Sequence, residues 1–247
     1  MNALIQAELL KLRTVRSNTF VAAGTLVLAA LLGAATAATA GIDAAAPLGS
    51  AANLVNIVGV SGLPPLAALI VGVLASAGEL QHRTIAQTYL TSPPRGRVLA
   101  AKAGALAITG TAVAAAVMVA ALLAALPRIL AEGAHLDLFD AEVVRAVGGN
   151  LLAGALFAVV GVALGFLLRN QLAAVLGAVV WALVVEGVIA TVAGADAVRW
   201  FPGAAARALT HPGADLVALP TAVVLTVLYA GVLSLLAART AAHQDIS

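Results

Sequence analysis

The sequence predicts an all-α integral membrane protein with six transmembrane helices, and composition is the first reason. Of the 247 residues, 62% are hydrophobic and only 10% are charged, and the mean hydropathy is +1.07. A soluble domain carries about 25% charged residues. Because surface-to-volume scaling limits how much apolar surface a soluble core can hide, we expect lipid to be the solvent for most of this chain.

The distribution of charged residues is the second reason. Five long stretches lack Asp, Glu, Lys and Arg, and a sixth, 170–195, is interrupted only by Glu186. Each can hold the ~20 apolar residues that cross a ~30 Å hydrocarbon core as a helix, whereas barrel strands would alternate. We predict a single transmembrane domain, 1–247, with spans at 19–40, 53–77, 104–126, 147–168, 172–193 and 216–238.

The basic residues predict the orientation. With the N-terminus inside, nine of the 13 Lys and Arg residues fall in inner segments and four in outer segments. This is the positive-inside bias of membrane proteins. We therefore expect a multi-pass protein of the plasma (cytoplasmic) membrane with both termini cytoplasmic. The first uncharged stretch exceeds the core of a signal peptide, so it is predicted to be a retained span.

Residues 2–16 are predicted to form an amphipathic helix in the inner interface, because apolar residues recur there at helical spacing. The alternative is a frayed cytoplasmic tail. The apolar positions are Leu4, Ile5, Leu9 and Leu12, and the charged positions of this interfacial helix are Glu8, Lys11 and Arg13.

The second span contains Pro64 and Pro65 near its middle. Proline removes backbone hydrogen bonds, so a kink or local unwinding is expected there, either as a static bend or as a hinge. Just before them, residues 59–62 (Gly-Val-Ser-Gly) resemble the Gly-x-Ser-Gly of rhomboid intramembrane proteases. A serine nucleophile needs a base, and no His lies in a predicted span. A small-residue packing segment is therefore expected at Ser61.

The inner loop 79–102 is the most informative stretch of the sequence. A short helix is predicted over 83–90, ended by the prolines at 93 and 94. Its face would carry Ile85, Tyr89 and Leu90, which a merely solvated connector would not need. Two interpretations stay open: a loop held at the interface by its arginines, or a docking helix for a cytoplasmic partner.

Three features predict local geometry in the second half of the chain. Asp140 is placed to cap the helix that becomes the fourth span. Only residues 169–171 separate the fourth and fifth spans, which predicts a tight antiparallel hairpin. Gly161 and Gly165 have the small-xxx-small spacing that permits close helix packing.

Glu186 lies inside the fifth span, where a carboxylate is costly and should face protein or a wet cavity. Arg199 or Arg207 of the following outer segment are its expected partners. The sequence leaves open whether Glu186 stabilises the fold, lines a cavity or serves as a proton site.

The outer segment 195–215 is too polar to span and too apolar for a free loop. We expect one or two short re-entrant helices that dip into the outer leaflet, broken at residues 202–203 and 212–213. Trp200 and Phe201 suit an interfacial anchor. Together with Glu186, Pro64 and Pro65, these two aromatic residues are the candidates for a cavity or gate.

Several kinds of chemistry have no sequence signature. There is no Cys, no metal-ligand spacing and no phosphate loop, and Lys occurs only at positions 11 and 102. We therefore expect a protein that is not an enzyme and holds no cofactor or metal of its own. The pI of about 9.5 is explained by topology, so no nucleic-acid partner is expected.

The order of elements resembles the permease subunit of an ABC transporter of the ABC-2 class, in a bacterial, actinobacterial-like form. Residues 7–17 (Ala-Glu-Leu-Leu-Lys-Leu-Arg-Thr-Val-Arg-Ser) resemble the start of that family. The loop after the second span is more specific, and residues 200–202 (Trp-Phe-Pro) match in position. The matching loop elements are Gly78-Glu79, Arg83-Thr84-Ile85, Pro94-Arg95 and Ala101-Lys102.

The resemblance implies a mechanism. In this family the first inner loop carries a coupling helix that sits in a cleft of a separate ATPase subunit, and the N-terminal helix contacts that subunit too. Two ATPase copies, which hold ATP and Mg²⁺, would drive two permease copies, a homodimer or a pair with a related permease. The implied coupling residues are Glu79, Arg83, Thr84, Ile85, Tyr89, Leu90, Arg95 and Lys102.

The resemblance also implies an exporter of a hydrophobic or amphipathic compound, such as a drug, an antibiotic or a lipid. Two alternatives stay open. One is a proton-coupled secondary transporter that uses Glu186, although the chain shows no obvious inverted repeat. The other is a non-transporting membrane scaffold or immunity protein.

Overall fold

A computed structural model describes residues 2–14, 16–40, 47–81, 95–211, 213 and 215–242. Over these residues the fold is all-helical and contains no strand. In chain order the helices are α1 (Asn2–Thr14), α2 (Arg16–Thr39), α3 (Ala51–Gly59), α4 (Leu63–Gln81), α5 (Arg95–Ala131), α6 (Ala141–Leu168), α7 (Gln171–Val180), α8 (Glu186–Ala193), α9 (Ala195–Val198), α10 (Pro202–Thr210) and α11 (Leu219–Ala242).

Six helical segments in the described part of the chain are long and apolar enough to cross a membrane, which confirms the predicted all-α fold with six candidate spans. These are the helices of a multi-pass membrane protein. Their bounds are Thr19–Thr39, Ala51–Glu79, Ala100–Ala131, Ala141–Leu168, Gln171–Ala193 and Leu219–Thr240.

The third and fourth spans extend beyond the predicted 104–126 and 147–168, since helix α5 runs to Ala131 and α6 begins at Ala141. Hydropathy marks the part that lipid surrounds, whereas a helix continues wherever its polar flanks support it. At the end of α5, Arg128 and Glu132 form an i,i+4 ion pair of 2.6 Å, which favours one more helical turn.

Packing defines the two ends of the bundle. At one end, called the α1 end, Ile5, Leu9 and Leu12 of α1 pack in a cluster with Ala237 near the end of α11. At the same end, Gly78 of α4 lies beside the side chain of Gln171, where α7 begins. The opposite end holds residues 47–50, the α5–α6 connection and helices α9 and α10.

Helices α4 and α6 approach each other closely. A Cβ atom at Gly161 would overlap the carbonyl oxygen of Leu69, and one at Gly165 would overlap the hydroxyl of Ser76. Gly72 lies equally close to the Ala158 carbonyl. The glycine spacing on α6 therefore does permit close packing, as predicted, because small residues let two backbones touch.

The second span is interrupted at Val60–Gly62, just before the proline pair at which the kink was predicted. Helix α3 ends at Gly59, and Val60, Ser61 and Gly62 have φ angles of 30°, 56° and 80°. Pro64 and Pro65 stand in the first turn of α4. The first N–H groups of a helix have no internal partner, so two prolines lose nothing there. The prolines thus mark a helix start rather than a kink inside a helix.

Residues 59–62 also differ from the expected small-residue packing segment. Val60 is buried, whereas Ser61 and Gly62 are exposed. The segment is a left-handed turn, not a helical contact face.

The predictions of local geometry around the fourth span are confirmed. The Asp140 carboxylate accepts a hydrogen bond of 2.8 Å from the Glu142 N–H and caps α6. At the other end, Arg169 adopts φ 53° and the Asn170 side chain accepts from the Ala173 N–H at 3.1 Å. One left-handed residue and one cap thus close the hairpin between α6 and α7.

Candidate functional site

Four charged side chains form a closed ring at the α1 end: Glu8, Lys11, Glu79 and Lys102, called the charge ring. The Lys102 ammonium lies 2.6 Å from Glu8 Oε2 and 3.0 Å from Glu79 Oε2. The Lys11 ammonium lies 2.8 Å from Glu8 Oε1 and 3.5 Å from Glu79 Oε1. Each carboxylate therefore bridges two lysines, and the charges of the ring sum to zero.

The charge ring is largely withdrawn from solvent. The side chains of Lys102, Glu8 and Glu79 are 2%, 6% and 16% exposed, and that of Lys11 is 42% exposed. A buried charge is tolerated only when it is paired and hydrogen-bonded. Cations and anions alternate around the ring, and three of its four contacts are hydrogen bonds, whereas the Lys102–Glu79 contact is an ion pair.

The sequence places Glu8 inward through its register on α1. Positions 5, 8, 9 and 12 share one helical face, so Glu8 stands within the stripe of Ile5, Leu9 and Leu12 rather than on the polar side. This inward position was missed at the sequence level, although the spacing could have indicated it. Lys11 follows Glu8 by three residues and reaches the same carboxylate.

Glu79 and Lys102 come from the two helices that flank segment 82–94. Glu79 stands near the end of α4, and Lys102 stands in the first turns of α5. The ring therefore ties α1 to both helices that enter and leave segment 82–94. Of the implied coupling residues, Glu79 and Lys102 are brought together here, and Glu8 and Lys11 of α1 join them.

The remaining predicted coupling residues cannot be placed in this ring. The predicted helix over 83–90 lies outside the described residues, and so do its members Arg83, Thr84, Ile85, Tyr89 and Leu90. Arg95 begins α5 and Arg13 lies in α1, but their side chains are outside the described part of the structure.

The electrostatics of α1 favour the ionised ring. Burial alone would raise the pKa of Glu8, but the neighbouring Lys102 and then Lys11 outweigh it and hold that pKa below its usual value. Burial likewise opposes the charge on Lys11, yet Glu8 and Glu79 raise its pKa above the usual value. Both groups are therefore charged near neutral pH.

A second polar cluster lies at the opposite end, around Glu186. This residue is 5% exposed. Its Oε1 accepts a hydrogen bond of 3.0 Å from Trp181 Nε1 and one of 2.9 Å from the Gly203 N–H. A π-helical turn, Trp181–Val185, joins α7 to α8 and precedes Glu186. Such π turns are rare and are often found at functional sites.

The prediction that Arg199 or Arg207 pairs with Glu186 was wrong. Arg199 instead binds Asp196 at 3.1 Å and lies over the Trp200 ring at 5.4 Å. The partner of Glu186 is the N-terminus of α10, where unpaired N–H groups and the helix dipole favour an anion. A carboxylate can therefore be satisfied without an arginine.

The C-terminus of α10 is held by the fourth span. Nη2 of Arg145 donates to the Ala208 carbonyl at 2.8 Å and to the His211 carbonyl at 3.5 Å. A cation suits the carbonyl end of a helix. Burial, then the charges of Arg145 and Arg207, lower the pKa of His211. Helix α10 is thus capped by an anion from α8 at one end and by a cation from α6 at the other.

Aromatic residues complete the attachment of α10. The rings of Trp181 and Phe201 lie 5.8 Å apart and tilted by 35°. The Tyr229 hydroxyl of α11 donates to the Trp200 carbonyl at 2.9 Å. Two candidates for a cavity or gate, Glu186 and Phe201, therefore both contact Trp181. The other candidates Pro64 and Pro65 are buried in α4.

A cavity of about 330 Å³ opens beside α9 and α10. Its walls combine apolar side chains with two arginines and one aspartate. The residues that line it include Ala190, Val198, Arg199, Ala204, Arg207 and Asp215. No group of His, Asp and Glu in the described residues could hold a metal ion.

Comparison with known proteins finds no relative: no protein-family profile matches the chain, and no curated protein matches it significantly.

Proposed function

We propose that this chain is the membrane-spanning permease subunit of an ABC transporter of the ABC-2 class, an exporter driven by a separate ATPase subunit. The observation that carries the proposal is the charge ring, which joins α1 to the helices on both sides of segment 82–94. That segment is the one in which the sequence resembles the coupling loop of the family.

The charge ring supports coupling because of how it would transmit force. A partner that pushes on segment 82–94 acts on the ends of α4 and α5, and the buried Lys102 links these ends to α1 through Glu8 and Glu79. Loss of Lys102 would leave the buried Glu8 and Glu79 carboxylates facing only the more exposed Lys11, which is unfavourable. The three elements are therefore expected to move as one body when the partner moves.

The lysines also bear on the source of energy. A phosphate loop needs a lysine that reaches the nucleotide phosphates. This chain has lysines only at 11 and 102, and both lie in the charge ring. We therefore assign ATP and Mg²⁺ to two copies of a partner ATPase. A second permease copy, identical or related, would complete a transporter in the bacterial plasma membrane, with both termini cytoplasmic.

The contacts of α10 favour the re-entrant arrangement that this proposal expects between the fifth and sixth spans. The Trp200 carbonyl binds Tyr229, which stands ten residues, or about 15 Å, into α11 from Leu219. Trp200, just before α10, thus lies level with the interior of α11 rather than with its first residue. We assign this segment to the side from which a hydrophobic or amphipathic compound would leave.

The proposal is tested by reconstituting the chain with an ATPase subunit that co-purifies with it from its native host and measuring ATP hydrolysis and transport together. Glu79→Gln should reduce transport about tenfold or more while ATP hydrolysis persists, because coupling between two sites is worth about 1–3 kcal/mol. Glu132→Gln is the matched control, since it removes a carboxylate from an exposed ion pair at the opposite end. Equal transport by both variants would contradict the coupling role.

The two alternatives give different results in the same preparation. A proton-coupled transporter would move substrate into ATPase-free vesicles along a pH gradient and would lose this activity with Glu186→Gln. The contacts of Glu186 with Trp181 and Gly203 support a structural role for that residue. A scaffold or immunity protein would bind a partner without any substrate-stimulated ATP hydrolysis.

A further inference from the structure

The left-handed turn in the second span is the starting point. Val60, Ser61 and Gly62 follow one another with positive φ, and Val60 is β-branched, for which this conformation is a genuine outlier. Non-glycine residues in this region are strained and persist only where the surroundings enforce them, often at functional sites. An uninterrupted apolar helix would have avoided this strain.

The turn lies within the second candidate span, Ala51–Glu79. Ser61 is eighteen residues from Glu79, which corresponds to about 27 Å along the span. Other spans carry exposed apolar side chains at this level and beyond it: Val119 is 55% exposed, Leu123 61% and Val192 82%. Exposed apolar side chains of neighbouring spans thus stand at a similar distance along the bundle, where lipid is the expected neighbour.

Ser61 and Gly62 are nevertheless exposed on the single chain. Non-helical backbone at membrane depth is tolerated only where protein buries it or where it lines a water-filled cavity, because lipid cannot hydrogen-bond the freed backbone groups. This excludes lipid as the neighbour of the turn. Water and another protein surface are the remaining choices.

The surroundings of the turn favour water. The His211 ring lies beside Gly59, at the last residue of α3, and the His211 carbonyl accepts from Arg145. The Arg145 Nε is buried and has no hydrogen-bond partner among the described residues. A buried polar atom of this kind normally binds an internal water. Arg145, whose Nε has no partner among the described residues, is thus linked through His211 to the residue that precedes the turn.

We infer that the Val60–Gly62 turn faces a water-filled path through the membrane and that the Ser61 side chain lines this path. The path would take water and the polar part of a solute past an otherwise apolar surface. The inference rests on the proposed function only for what travels along the path. The contact of Ser61 with water does not depend on the proposed function and is tested separately.

The chain offers a clean test because it contains no cysteine. Ser61→Cys is compared with Val119→Cys in lipid nanodiscs, using a charged, membrane-impermeant methanethiosulfonate reagent. Val119 is the matched control, since it is exposed, seventeen residues from Lys102, and on an uninterrupted helix. The reagent reacts with the thiolate, which forms in water and not in an apolar surrounding. The Ser61→Cys protein should react roughly tenfold faster or more.

Equal and slow labelling of the two variants, with full labelling of both after denaturation, would overturn the inference. So would a disulfide between two Ser61→Cys chains without any labelling, because a second copy would then cover the turn. Hydrogen exchange of the unaltered protein guards against a misfolded variant. Amides of 60–62 should exchange while those around Val119 stay protected, and protection of both would contradict the inference.

Discussion

Replacing Lys102 by methionine should undock α1 from the bundle. Lys102 is 2% exposed and contacts Glu8 at 2.6 Å and Glu79 at 3.0 Å. Methionine keeps much of the length and apolar bulk of the side chain but leaves both carboxylates without their buried cation. Lys11 alone remains to face them, and it is the most exposed member of the charge ring.

The size of this effect follows from burial. Removing one partner of a buried ion pair costs about 3–5 kcal/mol, because the remaining charge stays buried without compensation. An exposed pair contributes only about 0–1 kcal/mol. Adding Glu8→Gln to Lys102→Met leaves the Glu79–Lys11 pair, so the double variant should recover about 1–3 kcal/mol, within the range of measured couplings.

Trypsin provides the assay, because it cleaves after Lys11 and Arg13 only when α1 opens. When opening and closing are fast, cleavage follows the population of the open form. A loss of about 3 kcal/mol should therefore speed cleavage roughly a hundredfold, since 1.36 kcal/mol is a factor of ten. Arg128→Ala, which breaks an exposed pair, should leave the rate unchanged. An increase below about fivefold for Lys102→Met would refute the argument from burial.

Three further predictions concern other contacts. Gly161→Ala should destabilise the bundle by about 1–3 kcal/mol in thermal unfolding, because the new methyl group meets the backbone of α4. Gly177→Ala is the control and should not destabilise the bundle, because open space surrounds that glycine. Gly203→Ala should cost about 1–3 kcal/mol by displacing the Glu186 carboxylate, with Gly177→Ala again as the control. The pKa of Glu8 is lowered from 4.5, so its stabilising contribution is present above that pH and is lost as the pH falls further. Hydrogen exchange of α1 should therefore show that the helix is released from the bundle in acid. Unchanged exchange would contradict the assignment.

The number and position of the spans could be predicted because they depend on one-dimensional information. Uninterrupted apolar runs locate helices wherever lipid is the solvent. The caps at Asp140 and Asn170 are similarly local, since a side chain binds a backbone N–H two or three residues away. Helix ends that rely on polar flanks, such as the end of α5, were placed too early.

The contacts between distant residues were harder to predict. Lys102 and Glu8 are 94 positions apart, and nothing local states that they meet. Glu186 was expected to find an arginine, because charge pairing is the simplest rule, but a helix N-terminus satisfies it instead. For the turn at Val60–Gly62, the prolines after it indicated only its approximate place.

The central claim is that a separate ATPase acts on this chain through segment 82–94, and one measurement tests it most directly. A photo-crosslinking amino acid at Tyr89, introduced in the native host, should capture a protein that contains a phosphate loop and hydrolyses ATP. The same group at Leu138, an exposed residue at the opposite end, should not capture it. Crosslinks from Tyr89 only to a second copy of this chain, or to proteins without ATPase activity, would contradict the account.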